Sequence, residues 1–176
     1  VDAVLGTTSY GDIVKALNEA EAGHVFQEFK DINALPEDSG RRVITTGGHF
    51  GYLKIAEGCD KHCTYCIIPS LRGKFRSVPE ERLLKQAEYM ASQGVRELIL
   101  VAQETTVYGT DLYGKKTLHI LLKKLCQIKG IRWIRVLYCY PEEIYDELIQ
   151  VMKEEKKICH YLDLPIQHAS DRILKR

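Results

Sequence analysis

The sequence lacks the features that would tie it to a membrane or to a polyanion. None of its 176 residues falls in a run approaching the ~18 consecutive apolar residues of a membrane helix. Its start, Val1-Asp2-Ala3-Val4-Leu5, is too short for a secretory leader and has no basic residue. Lys and Arg number 25 against 24 Asp and Glu, a net charge of +1, so no basic excess argues for nucleic acid held by charge. There is no internal repeat and no low-complexity tract. The first residue is not Met, so the chain is expected to be a piece of a longer protein. With 45% apolar residues, it is long enough to enclose one hydrophobic core.

The chain has six cysteines, and only three of them cluster. Of the six, Cys126, Cys139 and Cys159 are scattered, each in or beside an apolar element where a thiol packs as a small hydrophobe. A disulfide framework would need an export route, and no leader is seen, so a reducing cytoplasm with a metal site is expected. The other three, Cys59, Cys63 and Cys66, form a C-x3-C-x2-C string directly after a short apolar run. A 4Fe–4S cluster normally takes four cysteines, one per iron. Three leave one iron open to bind a substrate, as a catalytic zinc keeps an open position that a structural zinc lacks. The same thiols could instead hold zinc, with His62 or His49 as the fourth ligand.

From about Tyr52 onward the pattern alternates strand and helix. The first strand is expected over residues 52–56 and a helix over 80–93, with Leu83, Ala87, Met90 and Ala91 on its apolar face. Ser77 and Glu80 form a capping-box pair, Pro79 suits the first turn and Gly94 the C-terminal cap. The second strand, 97–102, is nearly continuous in apolar residues, as when both sheet faces are covered. A helix carrying Leu118, Leu121, Leu122 and Leu125 follows, closed by Gly130. The third strand is 132–138, and Pro141 opens a helix with Ile144, Leu148, Val151 and Met152 on one face. A fourth strand is expected at 161–164 and a last helix near Ser170. Such alternation predicts an α/β fold of parallel strands with right-handed crossovers. Four units do not close an eight-stranded barrel, so a partial β/α barrel is expected, incomplete at its C-terminus.

Residues 1–50 differ. Residues 12–22 suggest a short helix with Ile13, Ala16, Leu17 and Ala20 as its apolar face, and 23–48 have the mixed polarity of a linker. We expect residues 1–50 to be the tail of a preceding domain plus linker, and 51–176 to be the barrel module.

Ligands in parallel strand–helix folds bind at the C-terminal strand ends. There the four strands deliver the three cysteines, Gln103-Glu104-Thr105-Thr106, Tyr138-Cys139-Tyr140-Pro141, and Asp163 through His168. One shared rim carrying one site is expected.

At the cysteine string the chain resembles the radical S-adenosylmethionine enzymes, whose motif is this C-x3-C-x2-C with an aromatic before the third cysteine, here Tyr65. Ile67-Ile68-Pro69-Ser70-Leu71-Arg72-Gly73 and Leu164-Pro165-Ile166-Gln167-His168-Ala169-Ser170 resemble the methylthiotransferase branch. Ala102-Gln103-Glu104-Thr105-Thr106-Val107-Tyr108-Gly109-Thr110-Asp111-Leu112 is similar to the branch acting on a ribosomal protein, with Glu104 where that branch has Asp. Val1-Asp2-Ala3-Val4-Leu5-Gly6-Thr7 looks like the end of that family's N-terminal domain.

The resemblance implies a 4Fe–4S cluster on Cys59, Cys63 and Cys66, with S-adenosylmethionine at the open iron. It implies cofactor contacts from Tyr65, Gln103, Glu104, Gln167 and His168, and for Arg72 either a carboxylate partner or plain exposure. It also implies cleavage to a 5′-deoxyadenosyl radical, and methylthiolation of the β-carbon of an aspartate in a small-subunit ribosomal protein. A flavodoxin or ferredoxin would donate electrons. The family's N-terminal domain carries a second 4Fe–4S cluster and its C-terminal TRAM domain helps bind the partner, so this chain would be the central radical module, not competent alone. The alternatives are a tRNA methylthiotransferase, for which Gly-Gln-Asn-Val-Asn would be expected after strand two, and a non-enzymatic iron–sulfur or zinc module.

Overall fold

A computed structural model of the chain describes residues 1–35 and 42–175. In order, the elements are β1 (Ala3–Leu5), α1 (Ile13–Glu21), β2 (Phe26–Glu28), β3 (Phe50–Lys54), β4 (Ala56–Glu57), α2 (Ile68–Arg72), β5 (Arg76–Ser77), α3 (Glu80–Ser92), β6 (Glu97–Val101), α4 (Thr110–Tyr113), α5 (Leu118–Cys126), β7 (Trp133–Val136), α6 (Asp146–Glu154) and α7 (Asp171–Leu174). The chain divides into two compact units, Val1–Val43 with Glu57–Arg76, and Ile44–Ala56 with Ser77–Arg176.

In the first unit β1 and β2 pair in parallel, Ala3 opposite Phe26, with α1 as the crossover between them. A one-turn 3-10 helix, Tyr10–Asp12, leads into α1. The expected apolar face of α1 is only partly used. Ala16 is buried, but Ile13 and Leu17 are exposed. The helical period was legible, whereas what covers the face is a tertiary matter. Residues 26–28, expected to be linker, extend because they complete the β1 ladder. Pro36 and Gly40 of that stretch lie outside the described residues.

The second unit is built on a parallel sheet in the order β3-β6-β7. Its registers run Leu53↔Leu100 and Leu100↔Val136, so Leu53, Leu100 and Val136 form one row, and Gly51, Leu98 and Ile134 the next. All of them face one way and are buried. Helices α3, α5 and α6 cover that face in chain order, α3 against β3 and α5, and α5 against β7 and α6. They contribute Leu83, Ala87 and Met90, then Leu118, Leu121, Leu122 and Leu125, then Leu148, Val151 and Met152. Each of the Leu, Val and Met side chains among them is worth about 1.5–3 kcal/mol when fully buried. The opposite face, with Tyr52, Lys54, Ile99 and Arg135, is half-buried or exposed. Helices outside and a less covered inner face are what a barrel wall requires.

Three expectations need correction. Ser77 does not cap α3: the N-cap is Pro79, without a side-chain cap bond, and the Ser77 hydroxyl accepts the Gly109 N–H at 2.9 Å instead. Pro141 opens a 3-10 turn, Pro141–Glu143, and α6 starts only at Asp146. No strand forms at 161–164. The chain bridges to β7 at Ile134↔Ile158, and then Tyr161 N–H turns back to the Cys159 carbonyl at 2.8 Å, which breaks the extended run.

Candidate functional site

The cysteine string lies in the first unit, on the loop between β4 and α2. The chain enters it through Gly58, at φ +79°, where a Cβ would stand 2.1 Å from the Lys74 carbonyl oxygen. Only glycine fits so close a passage against backbone. Cys59 N–H then donates to the Gly73 carbonyl at 3.2 Å, and the Asp60 carboxylate accepts the Phe75 N–H at 3.0 Å. Cys66 N–H closes a turn onto the Cys63 carbonyl at 3.0 Å. The three cysteines are therefore held in one pinned loop, half-buried and none of them in a disulfide. Among the described residues no three Cys, His, Asp or Glu side chains converge as a single metal ion would need. A four-iron cluster takes one thiolate per iron, so its ligands need not share a point. The donor set and its spacing on one loop fit such a cluster. Tyr65 is 75% exposed. Arg72 reaches a carboxylate within the chain, its Nη1 lying 3.8 Å from Oε1 of the buried Glu57.

The second unit carries Gln103 and Glu104 just past the C-terminal end of β6. There the loops after β6 and β7 are tied together. Thr105 N–H donates to the Tyr138 carbonyl at 3.1 Å and its hydroxyl to the Leu137 carbonyl at 2.8 Å. Glu104 is 3% exposed and turned inward. Its Oε1 accepts the Thr106 N–H at 3.0 Å, the Thr106 hydroxyl, and the Tyr140 N–H at 3.4 Å. Gln103 is half-buried, and its Oε1 is shielded from solvent with no hydrogen-bond partner among the described residues. An acceptor left in that state costs about 1–3 kcal/mol, so it suits a ligand's N–H donor. That atom is the observation in this unit that fits an ammonium-bearing cofactor.

Gln167 and His168 are exposed. Gln167 has φ +61°, and Nδ1 of His168 accepts the Ser170 N–H at 2.8 Å, which leaves the ring proton on Nε2 when the imidazole is neutral.

Some residues of the string 102–112 prove architectural. Tyr108 is 1% exposed and donates to the Val78 carbonyl at 2.9 Å, with burial holding its phenol well above the ordinary range. Gly109 has φ +89°, where a Cβ would meet Thr117 Oγ1 at 1.9 Å, and Asp111 accepts the Ser77 N–H at 2.8 Å. Asp163, which holds the loop after β7 through Tyr138 N–H at 3.0 Å, was visible in the sequence only as part of a rim string. Cys126 and Cys139 are buried and Cys159 half-buried. Burial pushes the Cys126 thiol up to about 11 and raises those of Cys139 and Cys159, the reverse of what a thiolate ligand needs. A groove of about 760 Å³, lined by Leu84, Arg96, Lys124 and Gly130 among others, lies away from this edge, where β6 and β7 begin.

A parallel sheet with outer helices and a C-x3-C-x2-C loop between β4 and α2 define a class. Residues 53–176 match the model of the radical SAM superfamily, and the chain belongs to it. Among curated proteins it is 64% identical, over all 176 residues, to the ribosomal protein uS12 methylthiotransferase RimO of Lachnoclostridium phytofermentans. It is 52% identical to the protein of that name from Clostridium botulinum strain Eklund 17B, over 99% of this chain. In both cases the chain spans 40% of the relative's length. Among solved structures, the radical S-adenosylmethionine methyltransferase TsrM from Kitasatospora setae, with tryptophan and a SAM analogue bound, aligns over 72% of this chain and 23% of its own. The TM-score is 0.57 at 16% identity, a likeness of fold.

Proposed function

We propose that this chain is the central radical module of a methylthiotransferase that modifies the β-carbon of an aspartate in ribosomal protein uS12. The observation that carries the reading is end-to-end similarity, 64% over the whole chain, to a protein named for that activity. The pinned three-thiol loop and the Gln103 acceptor support it from the chain's own chemistry. Residues 1–50 would be the tail of the N-terminal domain and its linker, and 51–176 the radical barrel.

In this reading Cys59, Cys63 and Cys66 are the thiolates that hold a 4Fe–4S cluster. Bound there, the cluster and S-adenosylmethionine supply a radical able to take hydrogen from an unactivated C–H bond. Gln103 Oε1, shielded and without a hydrogen-bond partner among the described residues, would accept an N–H of the cofactor's amino group. Glu104 keeps the loops after β6 and β7 in register through Thr106 and Tyr140, and so works through the loops it fixes. Tyr65, exposed on the cysteine loop, would lie against the cofactor's adenine, and Gln167 and His168 would offer it polar contacts. The buried face behind the edge keeps water from that side of the site. A flavodoxin or ferredoxin would supply electrons, and the cytoplasm is the compartment where such thiols stay reduced.

The test uses the full-length protein, reconstituted without oxygen and supplied with S-adenosylmethionine, a reductant and a sulfur source. Given uS12 and bulk tRNA in parallel, it should add a methylthio group to uS12, seen by mass spectrometry on one aspartate. Methylthiolated adenosine in the tRNA with unmodified uS12 would refute the substrate assignment.

A further inference from the structure

Among the described residues, two that are not glycine sit on backbone of positive φ, Tyr138 at 57° and Gln167 at 61°. For a bulky L-residue that conformation persists only where the surroundings over-determine it, and such residues gather at functional sites. The surroundings of Tyr138 do over-determine it. Its N–H donates to Asp163 Oδ2 at 3.0 Å. Its carbonyl accepts both the N–H of Thr105 at 3.1 Å and the Thr105 hydroxyl at 3.0 Å. The next amide, of the fully buried Cys139, donates to the Asp163 carbonyl at 2.9 Å. The amide after that, Tyr140, donates to Thr106 Oγ1 at 3.0 Å. The backbone of 138–140 is thus clamped from two sides, by the loop after β6 and by the segment at Asp163.

None of these bonds uses the ring, which remains 52% exposed at the C-terminal edge of the sheet. A turn alone would be better made by Gly or Asn, and a packing role would bury the side chain. The clamp keeps a large aromatic presented at the edge where this fold binds its ligands. Leu164 and Ile166, which follow Asp163 in the chain, are 38% and 65% exposed. These exposed apolar side chains belong to the segment whose Asp163 holds the Tyr138 backbone.

We propose that Tyr138 contacts the acceptor polypeptide and sets its affinity, an inference that rests on the function proposed above. A tyrosine offers an apolar face and a polar tip with few torsions to freeze, which is why it is enriched at protein contacts.

The test uses full-length, cluster-reconstituted protein and a peptide spanning the modified aspartate of uS12, with variants Tyr138→Phe, Tyr138→Ala and Tyr138→Gly. Loss of the ring in the Ala and Gly variants should raise KM for the peptide about tenfold, with a much smaller change in kcat, the mark of lost ground-state binding. Tyr138→Phe should retain most of the affinity. Tyr138→Gly should melt above Tyr138→Ala, the reverse of the usual order, because only glycine accepts this φ without strain. Binding and stability then separate: the Gly variant is the more stable of the two yet binds as weakly.

A peptide KM within about twofold of wild type for Tyr138→Ala would overturn the proposal. So would an equal rise in KM for S-adenosylmethionine, which would put the ring on the cofactor, or recovery of peptide affinity in Tyr138→Gly, which would make the role purely structural. Wild-type protein that neither binds nor modifies the peptide would overturn the function reading and this proposal together. An active wild type with unaltered variants would overturn this proposal alone.

Discussion

Replacing Gly58 by alanine puts a methyl group 2.1 Å from the Lys74 carbonyl oxygen and 2.6 Å from that of Gly73. Both obstacles are backbone, so neither can swing aside like a side-chain tip. The residue also has φ +79°, a conformation that costs an L-residue roughly 1–2 kcal/mol. Forcing the two chain segments apart adds about 1–3 kcal/mol, as for an overpacked core. The total is about 2–5 kcal/mol. At about 2–4 °C per kcal/mol, melting should fall by roughly 4–20 °C.

Gly23→Ala is the control, since φ is +82° but nothing lies within 4 Å of the added carbon. It should cost the conformational part alone, about 1–2 kcal/mol. The same displacement moves Cys59, whose N–H bonds Gly73, so Gly58→Ala should take up less iron on reconstitution and Gly23→Ala the normal amount. Thermal melting and iron analysis of the two full-length variants provide the comparison. Equal melting and equal iron would refute the tight passage and the argument that it positions the first thiol.

Other expectations can be checked alongside. Cys63→Ala should abolish cluster binding and cofactor cleavage while the melting curve keeps most of its height. Cys126→Ser should leave iron unchanged but lower stability by about 1–3 kcal/mol, because it buries a hydroxyl in an apolar core. Glu104→Ala strands the Thr106 amide and leaves Tyr140 N–H with Thr106 Oγ1 alone, so it should cost about 1–3 kcal/mol, with faster hydrogen exchange in 104–106 and 138–140. Burial pushes the Tyr145 phenol up to about 12 from an ordinary 10.0. The folded state therefore holds that proton more tightly, and its contribution is complete below pH 10 and lost as pH rises to about 12. Denaturant melts across that range should show a shallower alkaline decline in Tyr145→Phe than in wild type.

What could be read beforehand depended on whether the signal was local. The apolar run expected as a strand over 97–102 formed as Glu97–Val101, and the leucine spacing gave α5, Leu118–Cys126, which ends short of the Gly130 expected to close it. The cysteine spacing is likewise a statement about one loop. The failures were non-local. Ser77 sits where a capping box would place it, yet the Gly109 N–H across the fold engages its hydroxyl. Residues 161–164 have the composition of a strand, but the chain turns at Tyr161, and Asp163 bonds Tyr138 and Cys139 beyond the end of β7, so no ladder forms. The string from Ala102 to Leu112 marked a family without revealing that Tyr108, Gly109 and Asp111 are structural. The clamp on Tyr138 needs three segments distant in sequence, and a positive φ on tyrosine leaves no trace in the one-letter code.

The most direct test of the central claim is the low-temperature EPR spectrum of the full-length protein, reconstituted anaerobically and reduced, with and without S-adenosylmethionine. Comparison with a variant in which the cysteines of the other expected cluster are replaced isolates the signal of Cys59, Cys63 and Cys66. The account predicts a reduced-cluster signal whose shape changes on adding the cofactor and which disappears in Cys63→Ala. A signal indifferent to the cofactor, or zinc in place of iron on this loop, would contradict it.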